Sequence, residues 1–571
     1  MKILSVHCDY ITFKPLKKAL KNPEELSQER QKEMTIKEPL VIFTAVEKQD
    51  EQNKKLIEQY VKEIVSIAKQ VNANHIVLYP YAHLSSSLSA PDFALKTLEQ
   101  AEKELIKEKF KVTRAPFGYY KEFELKCKGH PLSELSREIT ATGKSEMEKV
   151  SEGETYDYKQ LLREISKAKL DTSKLKDNDH RILGQKMNLF SFNDVAPGMV
   201  FWHNNGLIIF NELIDFWRKE HRKNNYKEIK TPQIVDKKLW QISGHWEKYK
   251  ENIFVSDYEK RIFAVKPMNC PGAMLVYKNM QRSYKDLPLR LAELGVVHRQ
   301  ELSGVLNGLF RLIQFTQDDA HIFCMEHQLE DEITAIMNMV DVFYKLFNFS
   351  YHVELSTRPE KRIGDEKLWD KAEAILEKIL KKRKIKFKIN KGDGAFYGPK
   401  IDLHIKDSLD RTWQLATIQL DFAMPERFDL AYVDKDNTEK RPIILHRVIY
   451  GSLERFIGIL LEHTNGHLPL WLAPVQIRVI NFTDRNNKSC EKLVEELKKH
   501  SIRVSADLGN EPLQGKIKQA EIEKVPYIVV IGDKEESSGN LAVRHRRDIK
   551  QLKKDEFVEK IVKEIGEKKV G

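Results

Sequence analysis

The stretch from Arg290 to Phe323 predicts two strands joined by a loop that is too basic and too polar for a plain hairpin. Its first limb, LAELGVVHRQE, is an apolar run that ends at a histidine, an arginine and a glutamate. Its second limb, GLFRLIQFTQDDAHIF, alternates apolar and polar residues at the strand period, and SGVLNG between the limbs supplies turn residues. The arginines on such a hairpin would grip a polyanion, and the carboxylates would accept hydrogen bonds from amino groups. The side chains expected on its polar face are Arg299, Glu301, Arg311, Gln317 and Asp319.

The chain has 571 residues, which is too long for a single hydrophobic core and predicts three or four folded units. A hydrophobic content of 41% with 9% aromatic residues is ordinary for globular proteins, so long disordered regions are not expected. The formal net charge of +11 favours a polyanionic partner. Many lysines, however, stand beside glutamates, as in EKELIKEK, and such stretches are equally typical of solvated helix faces.

The five cysteines are scattered and show no paired CxxC spacing, so the sequence predicts no disulfide framework and a reducing, cytoplasmic location. The opening MKILSVHCDYITF is too short and too polar for a signal peptide. No apolar run approaches the length needed to span a bilayer, so no membrane association is expected. A GxxxxGK[ST] phosphate loop and a GxGxxG turn are both missing from the central region, which disfavours P-loop and dinucleotide-binding functions.

The amino-terminal region predicts a compact α/β domain with strands in KILSVHCDYITF, PLVIFTAVEKQD and HIVLYP. Its two predicted helices cover Asn53 to Ala73 and Asp92 to Lys107. His83 follows the core strand HIVLYP directly, where a ligand can reach it, although a lone loop histidine is more often structural. The carboxy-terminal region alternates strands and helices from IRVINFT onward, which predicts a small sheet with parallel pairings.

Three motifs in fixed order resemble those of the class II aminoacyl-tRNA synthetases, and within that class the archaeal-type threonyl-tRNA synthetases. A long helix, LIIFNELIDFWRKEHRKN, precedes YKEIKTPQIVDKKLW, where a strand would end at Pro232. The hairpin with HRQE and FTQDDAHIF would be the second motif, and RPIILHRVIYGSLERFIGILLEH the third. The resemblance implies an antiparallel-sheet catalytic core, a homodimer built on the first motif, and ATP, threonine and tRNA(Thr) as partners. Without the resemblance, HRQE alone is equally compatible with a salt-bridged surface hairpin.

The resemblance also implies roles for individual residues around ATP, which would bind with Mg²⁺. Arg299 would hold the α-phosphate and the threonine carboxylate, and Glu301 would accept from the adenine amino group. Arg311 and Arg455 would reach the γ-phosphate. The other residues that the resemblance places near the substrates are Gln317, Asp319, Tyr397, Lys400 and Gln419.

A zinc ion, one per subunit, is implied at Cys270, His321 and His446, because all three stand at the matching motif positions. A thiolate and two imidazoles suit zinc and leave a coordination position open. The wide sequence separation of the three gives no support by itself, and each alone is typical of a buried core residue. An amino-acid pocket discriminates weakly between serine and threonine, since one missing methyl is worth roughly 1–3 kcal/mol. The chain is therefore expected to have an editing activity in addition to this amino-acid pocket.

MKILSVHCDY, LYPYAHLSS and APFGYYKEFELKCKGHPLSE resemble the amino-terminal editing domain of the archaeal-type enzymes, itself similar to D-aminoacyl-tRNA deacylases. The resemblance implies hydrolysis of seryl-tRNA(Thr) by a site with His83, Tyr120, Lys121 and Glu134. The carboxy-terminal region resembles the class II anticodon-binding domain, with Glu535 and Arg544 near the anticodon-reading positions. The cluster of Arg544, Arg546 and Arg547 would contact phosphates, although a basic cluster is usually a solvated face.

The fold class predicted from these observations is a multidomain α/β and α+β protein. The predicted domains are an editing domain at residues 1–147, a charged linker at 148–179, a catalytic domain at 180–470 and an anticodon-binding domain at 471–571. Two other functions remain open at this point. A catalytically silent RNA-binding regulator would not need the intact arginines, and a synthetase for proline or serine would not need the zinc ligands.

Overall fold

The computed structural model of the chain describes residues 1–20, 23–53, 55–85, 87–130, 133–139, 158–165, 175–259 and 261–568. Contacts divide the chain into two compact units, residues 1–156 and 157–571. The α-helix Tyr158–Ile165 falls within the predicted charged linker at 148–179, most of which lies outside the described residues. None of the helices that the structure describes is both long and apolar enough to cross a membrane.

The first unit is an α/β fold organised around one long strand. Its elements are β1 (Lys2–Lys18), β2 (Met34–Lys37), β3 (Pro39–Ala45), α1 (Leu56–Gln70), β4 (His75–Pro80), α2 (Pro91–Lys107), β5 (Lys111–Arg114), β6 (Tyr119–Cys127) and β7 (Glu134–Glu138). Strand β1 pairs with β3 and β7 along its first half and with β2 and β6 along its second half. The parallel strands β3, β4 and β5 continue the sheet. The order of strands and helices confirms the sequence prediction, and α1 is a few residues shorter at each end than predicted.

Helices α1 and α2 cover one face of this sheet. Apolar side chains recur along both helices at helical spacing, among them Leu56, Tyr60 and Ile64 of α1, and they pack with Ile42 and Leu78 from the strands. A second cluster, which includes Phe13, Phe43 and Tyr79, occupies the opposite face. The sheet is therefore buried on both sides, as the unbroken apolar runs in β3 and β4 require.

The second unit begins with α3 (Tyr158–Ile165) and contains a large mixed sheet. The elements up to the second motif are α4 (His180–Lys186), β8 (Phe190–Ser191), β9 (Phe201–Trp202), α5 (Asn204–Lys223), β10 (Lys227–Glu228), β11 (Ile234–Asp236), α6 (Lys237–Ile242), α7 (His245–Lys248), β12 (Val255–Tyr258), β13 (Arg261–Val265), α8 (Cys270–Lys278), β14 (Leu289–His298) and β15 (Gln314–Cys324). Helix α5 is the long amphipathic helix predicted from the sequence. The strand expected before Pro232 is only the short β10, which pairs in parallel with β14.

The remaining elements of this part complete the sheet in the order β10-β14-β15-β22-β19-β18-β16-β17. They are α9 (Leu329–Lys345), β16 (Ser350–Ser356), α10 (Glu366–Lys382), β17 (Phe387–Asn390), β18 (Lys400–Lys406), β19 (Thr412–Asp421), α11 (Ala423–Arg427), β20 (Tyr432–Val433), β21 (Glu439–Lys440), β22 (Ile443–Val448) and α12 (Leu453–Thr464). The pairings from β14 through β16 are antiparallel, and only the outer strands β10 and β17 pair in parallel. The predicted antiparallel core sheet is thus confirmed.

The carboxy-terminal part of the second unit is a five-stranded sheet flanked by helices. Its elements are β23 (Ile477–Asn481), α13 (Asn487–Lys499), β24 (Val504–Asp507), α14 (Leu513–Ile522), β25 (Tyr527–Ile531), α15 (Asp533–Ser538), β26 (Asn540–His545), β27 (Asp548–Lys553) and α16 (Lys554–Gly566). The predicted parallel pairings join β24, β23 and β25, whereas β26 and β27 pair antiparallel. The segment after β25 forms the short helix α15, at whose amino end the Glu535 carboxylate accepts from the Gly532 N–H.

Candidate functional site

The β14–β15 hairpin and the start of α12 enclose a cavity of about 340 Å³. Strands β14 and β15 pair in antiparallel register from Leu289 with Phe323 to His298 with Gln314, which leaves the loop between them to fold over the sheet. The predicted residues that line this cavity are Arg299, Glu301, Arg311, Gln317 and Arg455. The structure therefore brings together the main polar residues of the second and third motifs.

Three arginines give this cavity an excess of positive charge. The Arg299 Nε donates to the Pro267 carbonyl at 3.1 Å, and its guanidinium lies over the Phe315 ring. The Arg455 Nε donates to the Phe310 carbonyl at 2.9 Å. Burial, followed by the charges of Arg299 and Arg311, lowers the pKa of Arg455. Such mutual repulsion is relieved by a bound anion, so the cavity is suited to a polyphosphate.

Glu301 is the acid that lines the cavity, and it pairs with Arg311 at 2.9 Å. This ion pair is partly exposed to solvent, so it contributes little to stability. One carboxylate against three guanidinium groups leaves the positive excess in place. The Glu301 carboxylate also offers an acceptor for an amino group within the cavity.

Two buried carboxylates that sequence analysis did not single out hold the hairpin against the third motif. Asp318 accepts from the backbone N–H groups of Ile449 and Gly451, each at 3.0 Å. Glu454 accepts from the Thr316 N–H through both carboxylate oxygens, at 2.9 and 3.0 Å. Burial raises the pKa of each carboxyl to about 7. The sequence feature that could have identified Glu454 is its place next to Arg455 in the first turn of a helix that is mostly apolar.

Cys270, His321 and His446 converge as predicted, with one possible ligand atom from each lying within 4.8 Å of the others. Cys270 begins α8, and the two histidines are cross-strand partners on β15 and β22. All three side chains are buried. Burial holds the pKa of His321 well below its usual value, so the ring is neutral, as a metal ligand must be.

The His446 ring is oriented by a carboxylate outside this trio. Its Nε2 is 2.8 Å from the Asp421 carboxylate, while its Nδ1 is buried without a hydrogen-bond partner. Burial lowers the pKa of His446, but Asp421 and then Cys270 outweigh burial and raise it to about 10, so without a metal the ring carries a proton on both nitrogens. Binding a metal through Nδ1 would displace that proton and leave the Nε2 N–H on the Asp421 carboxylate. A carboxylate that fixes the far nitrogen of a ligating histidine is the usual surrounding of a protein metal site.

Three further predicted residues lie beside the Cys270–His321–His446 cluster, and a fourth has ion-pair partners of its own. Asp319 is partly buried and accepts from the side chain of Asn269 at 2.6 Å, and Asn269 directly precedes Cys270. The Tyr397 ring lies 5.3 Å from the His446 ring, and Gln419 is the cross-strand partner of His446. The fourth residue, Lys400, forms ion pairs with Asp402 at 2.8 Å and Asp393 at 3.2 Å, and it does not line the arginine cavity.

A separate cavity of about 510 Å³ lies in the first unit. His83, Tyr120 and Lys121 line it together with aromatic side chains such as Tyr79 and Phe123. Burial lowers the pKa of Lys121 to about 8, against the opposing charge of Glu24. A largely apolar cavity with an imidazole and an amine of lowered pKa is suited to catalysis on a polar ester.

Glu134, the fourth residue predicted for this cavity, is not among the residues that line it. It lies at the start of β7, where the Cys127 thiol donates to its carboxylate at 3.4 Å. The sequence placed it near His83 through the resemblance alone.

The two residues predicted to read the anticodon occupy different surroundings. Glu535 caps α15 and also accepts from the Gln551 amide at 3.3 Å. Arg544 is on β26, and its guanidinium lies 3.8 Å from Glu521. Among the described residues, Glu535 and Arg544 share no hydrogen bond and no ion pair.

Three protein families match successive parts of the chain. The Archaea-specific editing domain of threonyl-tRNA synthetase matches residues 1–139. The tRNA synthetase class II core domain (G, H, P, S and T) matches residues 251–464, and an anticodon binding domain matches residues 476–564.

Similar proteins agree with these matches. A threonine–tRNA ligase of Caldanaerobacter subterraneus subsp. tengcongensis is 54% identical over 69% of this chain and 61% of its own length. The chain spans about 60% of the length of the curated relatives it matches. The solved RNA-binding domain of threonyl-tRNA synthetase from Cryptosporidium parvum Iowa II is 40% identical, with a TM-score of 0.66 over 67% of this chain and 98% of that one. A putative threonyl-tRNA synthetase from Aeropyrum pernix is 29% identical, with a TM-score of 0.59 over 68% and 97% of the two chains. This chain therefore belongs to the threonyl-tRNA synthetase family.

Proposed function

We propose that the chain is a threonine–tRNA ligase that activates threonine with ATP and transfers it to the 3′ end of tRNA(Thr). The observation that carries the proposal is the placement of Gln317, Asp319 and His321 at alternate positions of β15. Alternate residues of a strand share one face, so the same face serves the arginine cavity and the Cys270–His321–His446 cluster. An ATP site and an amino-acid site on one strand are what an adenylating enzyme requires.

In this proposal the arginines stabilise the charge that moves on ATP during adenylate formation. Arg299 holds the α-phosphate and the threonine carboxylate, and Arg311 and Arg455 bind the γ-phosphate. Glu301 accepts from the adenine amino group, and Mg²⁺ arrives with the nucleotide. Guanidinium groups fixed by Pro267 and Phe310 carbonyls are pre-oriented, and this limits the reorganisation needed in the transition state.

We infer that Cys270, His321 and His446 hold one Zn²⁺ per subunit. A thiol and two imidazoles are the donors that zinc prefers, and the unpartnered His446 Nδ1 and the Asp421 carboxylate behind the ring fit that ion. The chemistry that zinc supplies there is Lewis-acid binding of the amino and hydroxyl groups of threonine. Tyr397, Gln419 and Asp319 surround the position where the amino acid would lie, and Lys400 would leave its carboxylate partners to reach ATP.

The cavity of the first unit supports a second, hydrolytic activity on seryl-tRNA(Thr). His83, Tyr120 and Lys121 would position the ester or the attacking water, and Glu134 would have to act from outside the present cavity lining. Serine retains both groups that zinc binds and lacks only a methyl group. Exclusion at the synthetic site is therefore too weak without editing.

The domain boundaries we propose are 1–147 for editing, 148–179 for the linker, 180–470 for catalysis and 471–571 for anticodon binding. Glu535 and Arg544 would read the anticodon, with Arg546 and Arg547 near its phosphates. We further propose a cytoplasmic homodimer that buries the surface of the first motif.

Amino-acid-dependent ATP–pyrophosphate exchange tests this function most directly. Exchange with threonine, serine, valine and proline, together with metal analysis of the purified protein, should give threonine-dependent activity and about one zinc per chain. Exchange with proline alone, or a protein without zinc, would favour a different synthetase. An absence of exchange with every amino acid, combined with tRNA binding, would favour a silent RNA-binding regulator.

A further inference from the structure

The segment from Pro116 to Lys121, which includes the start of β6, is bonded to the distant residue Glu24 in addition to its pairing with β1 and its bonds to Ala19 and Leu20. The Glu24 N–H donates to the Phe117 carbonyl at 3.3 Å, and the Phe117 N–H donates to the Glu24 carboxylate at 3.1 Å. The Tyr119 hydroxyl donates to the Glu24 carbonyl at 3.0 Å. Three hydrogen bonds therefore join Phe117 and Tyr119 to one residue, so the positions of these two residues depend on that of Glu24.

The Lys121 ammonium is fixed by the same segment. Its Nζ donates to the carbonyls of Pro116 at 2.9 Å and Tyr119 at 3.2 Å, and it lies 5.1 Å from the centre of the Tyr79 ring. Both carbonyls belong to the stretch that Glu24 holds. A shift of that stretch would therefore move the amine within the cavity.

Glu24 itself is turned away from the cavity and toward arginines. Its carboxylate receives two hydrogen bonds from Arg114, at 2.6 and 2.8 Å, and two from Arg30, at 2.5 and 3.5 Å. It does not line the cavity. Its negative charge nonetheless opposes the lowering of the Lys121 pKa by burial. The titratable side chains that line the cavity with Lys121 are Tyr79, Tyr81, His83, Tyr119 and Tyr120, so no described lining residue is an acid that replaces this charge.

We propose that Glu24 is a positioning residue of the editing site, which holds the Pro116–Lys121 segment and thereby aims the Lys121 amine. It acts through Lys121 and touches no substrate. This inference rests on the proposed editing function of the first unit.

The test compares Glu24→Gln with Glu102→Gln in the full chain. Glutamine can still accept from the Phe117 N–H, but it removes the charge that binds Arg114 and Arg30, so residue 24 and the segment bonded to it lose their anchor. Glu102 binds the same Arg114, at 3.1 Å, so its variant controls for a weakened arginine network. Two quantities are measured: the hydrolysis of preformed seryl-tRNA(Thr), and the pH dependence of Lys121 acetylation by acetic anhydride, followed by peptide mass spectrometry.

Glu24→Gln should lower the pH midpoint of Lys121 acetylation and reduce kcat for hydrolysis about tenfold or more, with KM within about twofold, because misplacing a catalytic group acts on the reacting geometry. Glu102→Gln should match the unmodified protein in both measurements. If Glu24→Gln does not fold, Glu24→Gln combined with Arg114→Gln removes the unpaired cation and should still show the lowered midpoint.

An unchanged acetylation midpoint and an unchanged rate in Glu24→Gln would overturn the inference. Equal losses of rate in the two variants, in proportion to their melting temperatures, would also overturn it. If the unmodified protein fails to hydrolyse seryl-tRNA(Thr), the proposed editing function is wrong, and the acetylation midpoint still decides whether Glu24 controls Lys121.

Discussion

Replacing Arg299 by alanine should separate the function of the arginine cavity from the stability of the fold. The substitution removes one hydrogen bond to the Pro267 carbonyl and the contacts with the Phe315 and Tyr249 rings. Together these are worth about 2–3 kcal/mol. It also relieves the repulsion between Arg299 and Arg455. The free energy of unfolding should therefore fall by less than about 2 kcal/mol.

The activity should fall much further than the stability. A fixed donor aimed at charge that develops in a transition state is worth about a hundredfold to a thousandfold in rate, or about 3–4 kcal/mol. Threonine-dependent ATP–pyrophosphate exchange measures this loss. A thermal-shift titration adds an independent measure, since ATP at about a hundred times its Kd stabilises the protein by about 2.7 kcal/mol, and the variant should lose most of that shift.

Arg290→Ala provides the matched control on β14, the strand that ends one residue before Arg299. Arg290 forms two hydrogen bonds with the buried Glu332 carboxylate, at 2.5 and 2.7 Å, outside the cavity. Its loss should destabilise the fold by about 2–4 kcal/mol and leave the exchange rate of the folded protein nearly unchanged. If Arg299→Ala instead behaved like Arg290→Ala, with activity lost only as the folded fraction falls, the arginine would be a structural salt-bridge residue and the proposed ATP site would be wrong.

Three further outcomes are expected. Cys270→Ala should lose bound zinc and threonine activation together while keeping its circular dichroism spectrum, and a zinc content near that of the unmodified protein would contradict the proposed site. His83→Ala and Lys121→Ala should each charge threonine at nearly the normal rate but hydrolyse seryl-tRNA(Thr) more slowly, and unaltered hydrolysis in both would exclude these side chains from editing. Burial raises the pKa of Glu454 to about 7 in the folded state, so its share of the free energy of unfolding should decline as pH rises from about 4 to about 7. Glu454→Gln should flatten that decline in denaturation curves, and an identical pH dependence in both proteins would refute the assignment.

The parts of this fold that local patterns encode could be predicted from the sequence. The alternation in β15, the apolar run of β4 and the apolar stripe of α5 each follow from the spacing of residues within one element. The helix α15 was missed because its capping depends on a glycine and a glutamate that also suit a turn. The position of Glu134 outside the cavity lining could not be predicted either, since it depends on the pairing of β7 with β1.

The carboxylates of Asp318 and Glu454 were missed for a different reason. Their partners are backbone N–H groups far away in the sequence, so no spacing rule connects an acid to the N–H groups that donate to it. An acidic residue in a strand is ordinarily expected to face water or substrate. Only the packed structure shows that these two acids bond to the backbone of another motif.

Strand β15 carries one acid on each of its faces, because successive side chains of a strand point to opposite sides. Gln317, Asp319 and His321 point to the side with the cavity and the proposed zinc site, while Thr316, Asp318 and Ala320 are buried on the other side. The hydrogen bonds that join Asp318 and Thr316 to residues of the third motif therefore fix the register of the strand from its buried face. Because a slip of one residue would exchange the two faces, the buried acids determine which side chains reach the substrates. The paired aspartates of QDDAH therefore differ in function: Asp318 fixes the register of the strand, and Asp319 faces the side of the proposed site.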